Sequence, residues 1–237
     1  MSEWTMKRFW KEATVEAQDR GYAVLLDGRP VKTPAKAPLV VPTRGMAQAI
    51  AAEWNAQDGR VDPATMPVTR SANAAIDKVA HQHAEVAQML AEYGDADLTC
   101  YRADKPAALV ERQAAAWDPL LAWTAATFGA PLQTRAGVMH APQDPAALAP
   151  LRAEVHGFDP FRLTALHDLV SMSGSLVIGL AATRGLHDGD TLWALSRIDE
   201  AWQEEQWGRD EEAVEQAEYK RGEFQHALRF YALCKPD

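Results

Sequence analysis

The stretch GYAVLLDGRPVKTPAKAPLVVPTRGMAQAIAAEWNAQ, residues 21–57, decides the fold class, because its hydrophobic period changes partway along. Up to Thr43 it reads as extended chain. GYAVLLDGRPVKTP (21–34) carries two short runs joined at Asp27-Gly28, a pair that accepts positive φ in a tight hairpin turn. APLVVPT (37–43) follows as a further strand, with Pro38 and Pro42 marking its ends. From Thr43 onward Met46, Ala47, Ile50, Ala51 and Trp54 recur at helical spacing, and the Thr43 hydroxyl is placed to cap the helix. One face of that helix is expected to cover one face of the sheet, so the region reads as α+β.

Downstream the pattern changes again. DGRVDPATMP (58–67) interrupts all periodicity with Gly and Pro and is the natural domain boundary. Charge supports the division: residues 1–66 hold nine bases and eight acids, net +1, whereas residues 67–237 hold 15 bases and 25 acids, net −10. The expected architecture is a small strand-rich α+β domain over 1–66 followed by a larger all-helical bundle over 67–237. In the second part the spacing predicts a helix over 69–93 closed by Gly94, and another over 111–128 with a kink or fresh start at Pro119. A single apolar helix is expected over 161–184, hydrophobic all round and therefore the buried centre of the bundle. Asp190 is placed to cap a helix whose inward stripe is Leu192, Leu195, Ile198 and Trp202; Gly208 ends it and Asp210 opens the last helix.

That last pair of helices holds the strongest local bias in the chain. SRIDEAWQEEQWGRDEEAVEQAEY (196–219) carries nine carboxylates up to Glu218 against Arg197 and Arg209, a local charge of −7 within a chain total of −9. Charge runs of this kind usually mark a solvated face. Here, however, like charges recur at i, i+4, as in Glu200 with Glu204 and Glu211 with Glu215, each at a cost of a few tenths of a kcal/mol. Trp202 and Trp207 sit among the acids; Trp202 falls on the inward stripe, while Trp207 falls outside it and suits an interface anchor. Glu200, Glu204, Trp207, Glu211 and Glu212 are the candidate partner-binding residues.

Composition limits the alternatives. With 237 residues, 47% hydrophobic and 24% charged, the chain is an ordinary globular sequence long enough to bury a core. Net acidity without a basic stripe argues against nucleic acid. The most apolar run, LVSMSGSLVIGLAAT (169–183), is shorter than a membrane span needs, so no membrane insertion is expected. Cys100 and Cys234 lack metal or redox spacing and read as reduced, partly buried thiols. His81 and His83, two positions apart, point to different sides of a helix, and the other histidines are scattered, so no metal is assigned. No phosphate-binding glycine loop is present, and no cofactor is expected. A hydrolase could be assembled from Ser173, His167 and Asp168, but SMSGS lacks the G-x-S-x-G elbow. A general peptide-binding module is a further alternative.

Read together, RFWKEATV (8–15), GYAVLLDGRPVKTP, PLVVPT with AAEWNAQ, MPVTRSANAAIDKV (66–79), DADLTCYRA (95–103), LVERQAAAWDPLLAW (109–123) and SRIDEAWQEEQWG (196–208) carry a family likeness. In this order, over nearly the whole chain and most thinly over 132–160, they resemble the ATP synthase assembly chaperones that handle the unassembled alpha subunit. The resemblance implies a two-domain protein without enzymatic activity that binds free alpha subunit and keeps it soluble until the beta subunit replaces the chaperone. It places the family's acidic position on Glu200 and its Glu-Trp pair on Glu53 and Trp54, of which Trp54 closes an apolar helix stripe and so suits a structural role. Eukaryotic members begin with a mitochondrial transit peptide; MSEWTMKRFW (1–10) does not read as one, which fits a bacterial, cytoplasmic member, taken to be a monomer.

Overall fold

The structure, a computed structural model, describes residues 7–236. Residues 1–6 of the segment read above for targeting signals lie outside the described residues. Two compact units emerge. The first runs to Gln82 and takes in Asp159–Ala165 and the chain from Arg229 on; the second comprises His83–Phe158 and Leu166–Leu228. Compactness thus divides the chain elsewhere than at 66/67.

In the first unit, β1 (Ala13–Gln18) and β2 (Gly21–Leu26) form an antiparallel hairpin in register from Ala13↔Leu26 to Gln18↔Gly21. The other edge of β2 pairs with β3 (Arg29–Pro30) at Leu26↔Arg29 and with β4 (Val40–Val41) at Tyr22↔Val41. The turn into β3 is the expected one: Asp27 (φ 47) and Gly28 (φ 78) both adopt left-handed backbone. The Asp27 carboxylate accepts the amides of Glu12 (3.0 Å) and Lys11 (3.0 Å), which hold it below the usual carboxylate range.

Helix α1 (Arg44–Asn55) is capped by Thr43, whose hydroxyl accepts from Met46 N at 3.2 Å, and it buries the five residues read from its spacing. These meet Val24, Leu26 and Val41 from the sheet, and Val31 and Leu39 from the segment between β3 and β4, in one core. Trp10 packs edge-on against Trp54, centroids 5.1 Å apart. Glu53 faces the other way and caps α2 (Pro67–Ala74): its carboxylate accepts Val68 N (2.7 Å), Thr69 N (2.8 Å) and the Thr69 hydroxyl (2.7 Å). The Pro- and Gly-rich segment before α2 is not loose, since Val61 and Met66 are buried in the same core. A π turn (Ala75–Val79) follows α2, and α3 (His83–Glu92) starts afresh, so the single helix expected over 69–93 is two.

The second unit is helical apart from one short parallel ladder. After α3 come two 3₁₀ turns, Tyr93–Ala96 and Leu98–Cys100, then β5 (Tyr101–Arg102) and α4 (Ala107–Phe128), which runs through Pro119 without a fresh start. Gly94 lies inside the first of those turns with ordinary backbone, and a Cβ there would stand 3.3 Å from Leu148 Cδ2. Glycine is used there for close packing and not as the expected left-handed helix end. Next, β6 (Arg135–Ala136) pairs with β5 in parallel, Tyr101↔Arg135. The remaining helices are α5 (Pro145–His156), α6 (Pro160–Ser173, counted with the first unit up to Ala165), α7 (Leu176–Arg184), α8 (Gly189–Leu195), α9 (Ile198–Trp207) and α10 (Glu211–Leu233, counted with the first unit from Arg229).

The apolar run over 161–184 is therefore broken. Gly174 (φ +71) turns the chain and Ser175 caps α7, accepting from Ile178 N at 3.0 Å. Helix α7 is buried from Leu176 to Thr183, as the all-round hydrophobicity requires. Its first turn is anchored by Asp97, fully buried, which accepts the Ser175 hydroxyl (2.8 Å), Val177 N (3.0 Å), Thr99 N (3.0 Å) and the Thr99 hydroxyl (2.7 Å). At Gly179 a Cβ would stand 2.7 Å from Val170 Cγ2, so α6 and α7 touch closely there. Asp188, not Asp190, caps α8, accepting from Thr191 N at 2.8 Å; Asp190 instead accepts from Arg221 and Gln225, each at 2.9 Å.

Candidate functional site

Helix α9 is the acidic stretch, and it buries none of its residues. The inward stripe expected along it stops short: Leu192 is buried on α8, but Ile198 and Trp202 are only half-buried. The reason is the break between α8 and α9, where Trp117 Nε1 donates to the Leu195 carbonyl at 2.7 Å and ends α8. Helix α9 then leaves in a new direction and lies on the surface of α4. Buried Gln113 on α4 fixes its first turn, accepting from Ala103 N at 2.8 Å and donating to Asp199 at 2.6 Å. One turn on, Arg112 grips Glu205 with two bonds of 2.7 and 2.8 Å, while its guanidinium lies 4.9 Å from the Trp202 ring centroid. That clasp holds the Glu205 carboxyl below its usual range.

Trp207 closes α9 and is 80% exposed. It forms a wall between two depressions. On one side is a groove of about 570 Å³, mainly apolar, lined among others by Tyr101, Leu109, Val138, Trp202 and Trp207. On the other is a cleft of about 370 Å³ between α9 and α10, lined among others by Glu200, Glu204, Trp207, Asp210 and Lys220. Gly208 separates the two helices with φ +88, and Asp210 accepts from Glu212 N (2.9 Å) and Ala213 N (3.2 Å), as the expected starting residue of α10.

The structure thus brings Glu200, Glu204 and Trp207 to one cleft, and carries Glu211 and Glu212 past it, exposed, on the first turn of α10. The repulsion between Glu200 and Glu204 is relieved by Arg197, 2.9 Å from the first and 4.0 Å from the second. Among the described residues, Glu211, Glu212 and Glu215 make no ion pair. Sequence reasoning missed the apolar groove because its walls come from three separate segments. One signal lay open: the adjacent Val138 and Met139, which in the structure are 93% and 82% exposed at the tip of the loop after β6.

The hydrolase constellation does not come together. Ser173 is buried and its hydroxyl donates to the Leu169 carbonyl at 2.7 Å, one turn back on its own helix, while His167 bonds its neighbour Asp168 at 2.9 Å. A buried hydroxyl committed to backbone offers no accessible nucleophile. Both cysteines are free and buried, and burial pushes each thiol up to about 12, far from the reactive range. Among the described residues no helix is long and apolar enough to cross a membrane.

Comparison with known proteins agrees with this fold. Residues 7–125 match the family model described as ATP12 chaperone protein. Protein atp12, mitochondrial, of Schizosaccharomyces pombe is 25% identical over 223 residues, which are 89% of this chain and 77% of that one. The crystal structure of Atp12 from Paracoccus denitrificans is similar with a TM-score of 0.94 at 53% identity, covering 97% of this chain and 98% of that one. A point mutant of P. denitrificans Atp12p, in which an aspartate is replaced by lysine, gives a TM-score of 0.96 at 52% identity, covering 99% and 100%. On the strength of the family match and of these near-complete structural likenesses, the chain belongs to the ATP12 chaperone family.

Proposed function

We propose that this chaperone acts in ATP synthase assembly by binding the unassembled alpha subunit and keeping it soluble until the beta subunit takes its place. The observation that carries the docking part of this reading is Trp207, a large indole left 80% exposed between an apolar groove and an acidic cleft. Glu200, Glu204, Trp207, Glu211 and Glu212 form the docking surface, and its client is a basic region of alpha that faces beta in the finished enzyme. A chaperone of this kind has to let go. A large, purely apolar contact would resist displacement, whereas a few aromatic anchors ringed by acids give steering and specificity with modest affinity. The protein works as a monomer in the bacterial cytoplasm, without cofactor and without turnover.

The test is a sizing-column experiment with isolated alpha subunit and with assembled enzyme. A complex is expected with the first and none with the second. Glu200→Lys places a cation where Arg197 already sits 2.9 Å away, and it is expected to abolish the complex while Tm stays at the wild-type value. Wild-type yield of alpha with the variant would refute the proposed surface.

A further inference from the structure

The internal pairings of the acids around Trp207 show which of them are open to a partner. Glu205 is closed by its double bond to Arg112, Asp199 is held by Gln113 at 2.6 Å, and Glu200 is held by Arg197 at 2.9 Å. Glu204 is different: its nearest cations, Arg197 at 4.0 Å and Arg209 at 3.8 Å, stand beyond hydrogen-bond length. It keeps its acceptor capacity and lines the cleft on the far side of Trp207 from the apolar groove. The groove is also prepared. Its Trp202 wall is steadied by the overlying Arg112, its first-turn support is the buried Gln113, and its outer rim is Val138, 93% exposed.

The occupant follows from charge and continuity. A second copy of this chain would set one face of net −7 against another, which disfavours self-association there. A segment with an apolar residue beside a basic one satisfies both depressions at once, since they share Trp207 and Gln203 as a common wall. We propose that the groove takes an aliphatic or aromatic side chain of the partner protein, while Glu204 takes an arginine or lysine of the same segment, so that the surface reads an apolar-basic pair. This deepens the docking reading above and rests on the same surface, but it does not depend on which protein supplies the segment.

Short random peptides displayed on phage and selected on the full chain test it. Enriched peptides are expected to carry an apolar residue next to, or within one helical turn of, Arg or Lys. Val138→Asp and Glu204→Gln are each expected to weaken the selected peptides about tenfold or more at unchanged Tm, and only Glu204→Gln to flatten their salt dependence. No enrichment, peptides without a basic residue, or wild-type affinity in both variants would each overturn the inference. Peptides that behave as expected but are not displaced by alpha subunit would leave it standing and refute alpha as the client of this surface. Alpha binding that both variants leave untouched, with peptide binding weakened as expected, would likewise leave it standing and put the alpha contact elsewhere.

Discussion

Helices α7 and α9 belong to the same unit and are built to opposite specifications. Every residue of α7 from Leu176 to Thr183 is buried, while α9 buries none. Polar groups from inside the protein hold the first turn of α7: Ser175 and, from far back in sequence, Asp97. On α9 buried Gln113 holds only Asp199 of the first turn, and beyond it the contacts are those of two partly exposed guanidiniums, Arg112 and Arg197. Buried hydrogen bonds have no water to fall back on, so breaking one leaves its partner unsatisfied. Exposed ion pairs exchange with solvent at little cost. The contrast separates a helix whose burial serves stability from an exposed one whose outer contacts are weak, as the docking surface proposed above requires.

Substitutions along the two helices can break that contrast. The largest effect is expected from Asp97→Ala, which strands the Ser175 hydroxyl and Val177 N in the interior. A loss of about 3 kcal/mol, or a Tm lower by roughly 6–12 °C in calorimetry, is expected. This deficit depends on pH. Burial raises the Asp97 carboxyl above its ordinary 3.8, so the folded chain binds that proton more tightly than the unfolded one. Its contribution is complete below 3.8 and is lost as pH rises through the raised value, so the gap between wild type and Asp97→Ala is widest in acid and narrows as the carboxyl ionises.

Gly179→Ala comes next: the new methyl overlaps Val170 and costs about 1–3 kcal/mol, offset by roughly 1 from better helix propensity. Chemical denaturation measures the remainder, and a stabilised variant would show that α6 and α7 can part. Arg112→Ala is expected to lower Tm less than Gly179→Ala does, yet to alter Trp202 fluorescence and weaken alpha binding, because the indole loses its cover. Smallest in stability is Trp207→Ala, within about 0.5 kcal/mol of wild type. Its affinity for alpha is expected to fall about tenfold or more, as for an interface anchor. A stability loss at Trp207 as large as that at Asp97 would erase the distinction between the helices.

The sequence exposes what is locally encoded. Asp27-Gly28 specifies its turn, Thr43 its cap, and the Met46 to Trp54 spacing its buried face, because each signal is contained within one hairpin or one short helix. The break at Gly174 and Ser175 is hidden because it interrupts a run buried on all sides, where periodicity has no polar face to lose. Asp97 is harder still: the carboxylate that anchors α7 lies 80 residues before Val177, whose amide it accepts. The acids and Trp207 were legible as a candidate surface. The apolar groove beside them was not, because Leu109, Val138 and Trp202 meet only after three distant segments have folded together.

The end of α10 carries a consequence for biosynthesis. Phe230 and Cys234 are buried among Trp10, Ile50 and Trp54, and the Thr43 hydroxyl donates to the Leu233 carbonyl, 190 positions later. The β1–β2 hairpin and α1 emerge early from the ribosome, but the core they build lacks part of its wall until translation reaches Cys234. The usual order of N-terminal region first is closed to this unit. A member of a chaperone family thus spends most of its own synthesis with an incomplete first core.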